Sequence, residues 1–114
     1  MCGFAAFIDI KNQILQSEYK KIIKNMCDEI SHRGPDEYNY FIHENVVLGH
    51  RRLSIQDFKN GTQPFISKSG QSAIIFNGEI YNHKYLRDEF LKNFNFKTNC
   101  DTETLIEFIE KFGC

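Results

Sequence analysis

The residue type and position with the most chemical potential in this 114-residue chain is Cys2, directly behind the initiator methionine. With Met1 removed, Cys2 carries a thiol and a free α-amine on one residue. The reference pKa values are about 8.5 for the thiol and about 7.7–8.0 for the amine. The amine can therefore take the thiol proton, directly or through a water, as in N-terminal threonine nucleophiles. By position alone, Cys2 reads equally as a small apolar residue at the start of a strand. Four further segments concentrate polar side chains and glycines: His32-Arg33-Gly34-Pro35-Asp36-Glu37, Gly49 to Asp57, Phe76 to His83, and Thr98 to Leu105.

The elements that must position these segments follow from hydrophobic periodicity. Residues 2–10 read as a strand ended by Lys11-Asn12-Gln13. Behind a cap at Ser17, apolar residues at Tyr19, Ile22, Ile23, Met26, Cys27 and Ile30 fall three and four apart, the spacing of an amphipathic helix stopped at Gly34-Pro35. Tyr38–His43 and Val46–His50 read as strands joined by a tight Glu44-Asn45 turn. Ala73–Phe76 reads as a buried strand broken at Asn77-Gly78. A helix capped by Asn82 runs from His83 to about Phe94. A last helix, with Leu105, Ile106, Ile109 and Phe112 on one face, ends at Gly113. This order predicts an α+β fold with a sheet packed against helices.

Composition narrows the function classes. A hydrophobic content of 41% supports one packed domain, and eleven Phe and five Tyr with no Trp make it aromatic-rich. Fourteen basic and fifteen acidic residues, without long runs, carry no footprint for nucleic acid or an anionic membrane. No apolar run approaches the roughly 20 residues of a membrane span, and no signal peptide opens the chain. The cysteines (Cys2, Cys27, Cys100, Cys114) lack metal-site spacing, which points to reduced thiols in a cytoplasmic protein and to no metal. Cys114 has no assignable role.

Met-Cys-Gly at the start, together with the four segments in their order, resembles the class II glutamine amidotransferase domain, the N-terminal-nucleophile glutaminase. Among its branches the chain is most similar to the glutamine-hydrolysing asparagine synthetases. The resemblance spans Cys2 to Gly113 and implies an αββα sandwich. Residues 1–114 would be the N-terminal part of that domain, incomplete at its C-terminal end. It also implies a C-terminal synthetase domain that receives the ammonia, with ATP and magnesium expected there and no cofactor in this chain. A homodimer is a further possibility within this reading.

The resemblance also distributes roles. Cys2 is the nucleophile, and Asn77 with the Gly78 N–H forms the oxyanion hole, each donor contributing about 3 kcal/mol in such sites. From the residues alone, Asn77-Gly78 is a hairpin signal; the two readings are compatible. Arg52, immediately before Leu53, corresponds to the clamp on the substrate α-carboxylate, where a planar fork makes two parallel bonds. Otherwise it reads as a surface arginine, as Arg51 does. Asp101 fits either a Thr98-x-x-Asp101 capping box or the partner of the substrate α-ammonium. Glu79 could accept from the same ammonium. Arg33 and Asp36 read as architectural, and His32, His50 and His83 as structural. Three other readings stand beside this one: an N-terminal-cysteine acylase, an amidotransferase for a sugar or surface-polysaccharide acceptor, and an inactive interaction module.

Overall fold

The computed structural model describes residues 1–53 and 61–113; the Ser54-Ile55-Gln56-Asp57 part of the second segment and Cys114 lie outside the described residues. Strand β1 (Gly3–Ile8) leads into helix α1 (Gln16–Glu29) and a 3-10 turn at Ser31–Arg33. Strands β2 (Glu37–His43) and β3 (Val46–Arg52) follow, then β4 (Phe65–Ile66), β5 (Ala73–Ile74), α2 (His83–Phe90) and α3 (Asp101–Phe112). The architecture is α+β, with two small antiparallel sheets, ordered β1-β3-β2 and β4-β5.

Period-2 alternation decides what each side of the larger sheet does. Ala5 and Phe7 of β1, Val47 of β3, and Tyr38 and Ile42 of β2 pack against Tyr19, Ile23 and Cys27 of α1. Those three helix residues are spaced by four, and all are buried. Phe7 meets Tyr19 edge to face at 5.5 Å. The helix lies this close because β3 carries a glycine at its centre: a Cβ on Gly49 would come 2.7 Å from Ile23 Cγ1 and crowd Cys27 Sγ. On the opposite side Phe4 and Ile8 are 50% and 59% exposed, while His50 and Arg52 on the same face are buried.

The ends of several elements depart from the sequence reading. Leu15, not Ser17, occupies the N-cap of α1, and its side chain makes no capping bond. The incoming chain is held instead by Asp9, whose carboxylate accepts from the Gln13 and Ile14 amides and from the Tyr19 hydroxyl. These bonds, Ile14's first, keep Asp9 below the usual carboxylate pKa. The predicted strand Ala73–Phe76 shrinks to Ala73–Ile74 and is only half-buried, because the Phe76 amide leaves the ladder to donate to Gln63 Oε1 at 2.5 Å. Its partner β4 had no sequence signal. Helix α2 stops at Phe90, where buried Leu91 turns the chain inward.

Helix α3 buries Thr102, Glu103, Thr104, Ile106 and Glu107, a more polar face than the expected apolar stripe. Burial is tolerated because the carboxylates are satisfied. Glu103 accepts from the Lys97 and Thr98 amides and Thr98 Oγ1, and Glu107 from the Lys68 amide at 2.7 Å.

Candidate functional site

The antiparallel register of β1 and β3 pairs Gly3 with Arg51 and Phe4 with His50. Continued by one residue, that register sets Cys2 opposite Arg52, with both side chains on the sheet face turned away from α1. The half-buried Cys2 Sγ lies 3.5 Å from the Leu53 amide, which donates to it. Arg33 Nε donates to the Cys2 carbonyl at 3.4 Å, so the residue read as architectural touches the backbone of Cys2. Its loop is drawn in by Gly34, where a Cβ would stand 2.6 Å from the Arg52 nitrogen.

The two arginines at the end of β3 part company. Arg51 turns to the helix side, where it donates to the Cys27 carbonyl at 3.1 Å, pairs with Asp28 and lies over the Tyr38 ring. Arg52 faces the Cys2 side, is buried, and pairs with Glu37 at 3.3 Å. A Cβ on Gly61 would come 2.9 Å from Arg52 Nη2, so backbone packs against the guanidinium.

Asn77 shares a cleft with Gly3, Phe4, Ile30 and Arg33, which brings it to the Cys2 end of the sheet. On its other side, Gly78 and Glu79 line a groove with Ile80, His83, Cys100 and Asp101. The Asn77-Gly78 step therefore connects the two hollows. It is no hairpin turn, since the chain runs on from it to α2. Positive φ among the described glycines is confined to Gly70 and Gly113. What Gly78 answers to is space: a Cβ there would stand 2.7 Å from Phe76 Cζ.

Asp101 opens α3, and its Oδ2 accepts from the Ile80 amide at 2.8 Å across that groove. The capping-box reading fails, because Cys100 is the N-cap and makes no side-chain cap. Thr98 Oγ1 contacts Glu103 and Cys100 Sγ instead. Glu79 is exposed at the rim. Among the six proposed site residues, Cys2, Arg52 and Asn77 gather at the sheet end, while Gly78, Glu79 and Asp101 gather in the groove.

His50 sits on the Cys2 face of β3, 2% exposed, with Nε2 lacking a hydrogen-bond partner among the described residues. Burial first, then the Arg52 charge, pushes its pKa down to about 4. The unfolded chain thus binds more protons than the folded one between pH 6.5 and 4. This stabilising contribution is complete above about pH 6.5 and is lost as pH falls toward 4. Denaturant unfolding should show His50 costing about 2–3 kcal/mol over that interval. In His50→Leu this component of the pH dependence should vanish; an unchanged profile would contradict it. His83, whose Nδ1 is likewise buried without a partner, lines the groove with Asp101. Arg87 and Glu103 escaped sequence reasoning, although both hold the loop before Asp101.

No helix among the described residues is long and apolar enough to cross a membrane. Comparison with known proteins converges on one family. A family model described as a glutamine amidotransferase domain matches residues 1–114. Asparagine synthetase [glutamine-hydrolyzing] 2 of Bacillus subtilis is 42% identical over 113 residues, covering 99% of this chain and 15% of that protein. Asparagine synthetase [glutamine-hydrolyzing] 1 of the same organism is 44% identical over 107 residues, covering 93% of this chain and 17% of that protein. Asparagine synthetase B [glutamine-hydrolyzing] of Escherichia coli is 34% identical over 113 residues, covering 99% of this chain and 20% of that protein. The chain thus spans between about a seventh and a fifth of the length of these relatives.

Proposed function

The chain belongs to the glutamine amidotransferase domain family, and from that membership we propose that it hydrolyses the carboxamide of glutamine at Cys2 and delivers the ammonia to a synthetase domain. The observation that carries this reading is the placement of Cys2 opposite Arg52 on one face of the sheet, with Asn77 in the adjoining cleft.

The chemistry follows from the groups in place. The α-amine of a processed Cys2 takes the thiol proton, and the thiolate attacks the carboxamide carbon. Asn77 and the Gly78 N–H receive the developing oxyanion. The tetrahedral intermediate collapses with a proton passed to the nitrogen; ammonia leaves and a glutamyl thioester remains. Water then cleaves the thioester to glutamate and restores the thiol. Arg52 binds the substrate α-carboxylate, oriented by Glu37 at its Nη1, and Asp101, with Glu79 at the rim, binds the α-ammonium.

Released into bulk water, ammonia would be protonated and lose its nucleophilicity, so the product calls for a sheltered acceptor. The names of the relatives point to asparagine formation from aspartate. The ATP and magnesium which that reaction uses would belong to the synthetase domain, and the reduced cysteines suit a cytoplasmic enzyme. The exposed Phe4 and Ile8 on the Cys2 face suit further sheet stacked on the first, as in an αββα sandwich.

A pair of neighbouring substitutions tests the site. Arg52→Lys keeps the charge but loses the planar fork, so KM for glutamine should rise about tenfold or more. Arg51→Lys, which disturbs contacts to α1, should lower Tm and leave KM near wild type. The reverse pattern in steady-state kinetics would move the clamp to Arg51 and undo the assignment of the Cys2 face.

A further inference from the structure

Arg87, in the last turn of α2, makes the most extensive set of side-chain bonds near the groove. Its Nε donates to Thr104 Oγ1 at 2.6 Å, Nη1 to the Thr98 carbonyl at 2.8 Å, and Nη2 to the Cys100 carbonyl at 2.7 Å. The guanidinium carbon also stands 3.8 Å from the centre of the Phe96 ring. Three donors in one plane thus reach two carbonyls flanking Asn99 and a hydroxyl one helical turn beyond. An ammonium has no such fork.

Glu103 grips the same loop through the complementary groups, accepting from the Lys97 amide at 2.8 Å and the Thr98 amide at 2.7 Å. A cation holding the carbonyls and a carboxylate holding the amides leave the loop little freedom. The element delivered by this loop is Asp101, which in turn fixes the Ile80 amide two residues from Gly78. Arg87 itself is not among the residues lining that groove.

We propose that Arg87 is the positioning residue of the substrate groove: through the 98–100 loop it sets where the Asp101 carboxylate stands, without touching substrate. This deepens the glutaminase reading and rests on it for its kinetic consequence. Cys2 is carried by the other sheet, so a slackened loop weakens the hold on the substrate ammonium more than it disturbs the nucleophile.

The test uses the complete natural polypeptide, processed to begin at Cys2. In Arg87→Lys and Thr104→Val, KM for glutamine should rise about tenfold while kcat stays within about threefold, because orientation across the groove is what is lost. Thr104→Ser keeps the acceptor and should restore KM. A residue that merely supported the fold would lower Tm and the active fraction, and so apparent kcat, with KM unchanged.

Amide hydrogen exchange supplies a readout independent of turnover. The Ile80 amide should exchange about tenfold faster in Arg87→Lys, with the β3 amides of Val47 and Leu48 unaffected. Folded Arg87→Lys and Thr104→Val proteins with wild-type KM and wild-type Ile80 exchange would overturn the proposal. If the wild-type polypeptide hydrolyses no glutamine, the glutaminase reading fails, and Ile80 exchange then judges Arg87 alone.

Discussion

Cys2→Ala is expected to lower glutamine hydrolysis by on the order of 10⁴-fold or more, as removal of a nucleophile does elsewhere. Binding should survive, because the clamp at Arg52 and the carboxylate of Asp101 come from other elements. The fold should survive too. Among the described residues Cys2 Sγ makes long contacts, 3.5 Å from the Leu53 nitrogen and 3.9 Å from its oxygen, and the residue is half-buried rather than part of the core. Tm within a degree or two of wild type, together with lost glutaminase turnover, is therefore the signature. Synthesis from added ammonia in the complete polypeptide should continue, since that route bypasses the thiol. Glutaminase activity that persists in the alanine variant would remove Cys2 from the mechanism.

Retention of Met1 should be as damaging as loss of the thiol, with turnover again reduced by on the order of 10⁴-fold or more. An amide nitrogen has no available lone pair, so an unprocessed Cys2 has a nucleophile without its base. Met1 is 76% exposed, accessible to removal. The comparison is between a chain starting at Cys2 and one with an extended or acetylated terminus, both shown to be folded by thermal melting. Equal turnover would exclude the α-amine as base. His50 would then be the nearest substitute on the Cys2 face, yet burial beside Arg52 has pushed its pKa to about 4 and made it a poor proton acceptor. His83 in the groove and His32, next to Arg33, would also return to contention.

Much of this arrangement was legible from pattern alone. The period-2 run in β1 and the spacing of Tyr19, Ile23 and Cys27 are signatures of one buried face, and both elements are present, although α1 ends at Glu29 rather than at Gly34 and the strand keeps Gly3–Ile8 of residues 2–10. The Glu44-Asn45 turn is also in place, with Glu44 at φ 51. The short strand β4 left no such trace, since two residues are too few to show alternation, and β5 keeps only two of the four residues read as a strand. The charged residues of α3 misled for a different reason. Glu103 and Glu107 look solvent-facing by type, and only the loop amides that come to them from residues 68, 97 and 98 make their burial possible. The local-cap alternative for Asp101 fails because its partner, the Ile80 amide, lies 21 residues away. Arg87 was overlooked since its bonds go to backbone carbonyls, which no side-chain pattern reports.

The pairing of β1 with β3 also has a consequence for the order of events during synthesis. The residues of the first strand have their ladder partners 38 to 48 residues downstream, from Ile8 with Val46 to Gly3 with Arg51, and Cys2 meets Leu53 51 residues on. At about 5–20 residues per second, that stretch takes on the order of 3–10 s to translate. Throughout this interval the newborn terminus has no sheet to join, and the Arg33 and Leu53 contacts that later surround Cys2 cannot yet form. Removal of Met1 therefore has a natural window at the ribosome. Chain topology supplies the delay in which the α-amine proposed as base can be unmasked, before the strand carrying it is locked into place.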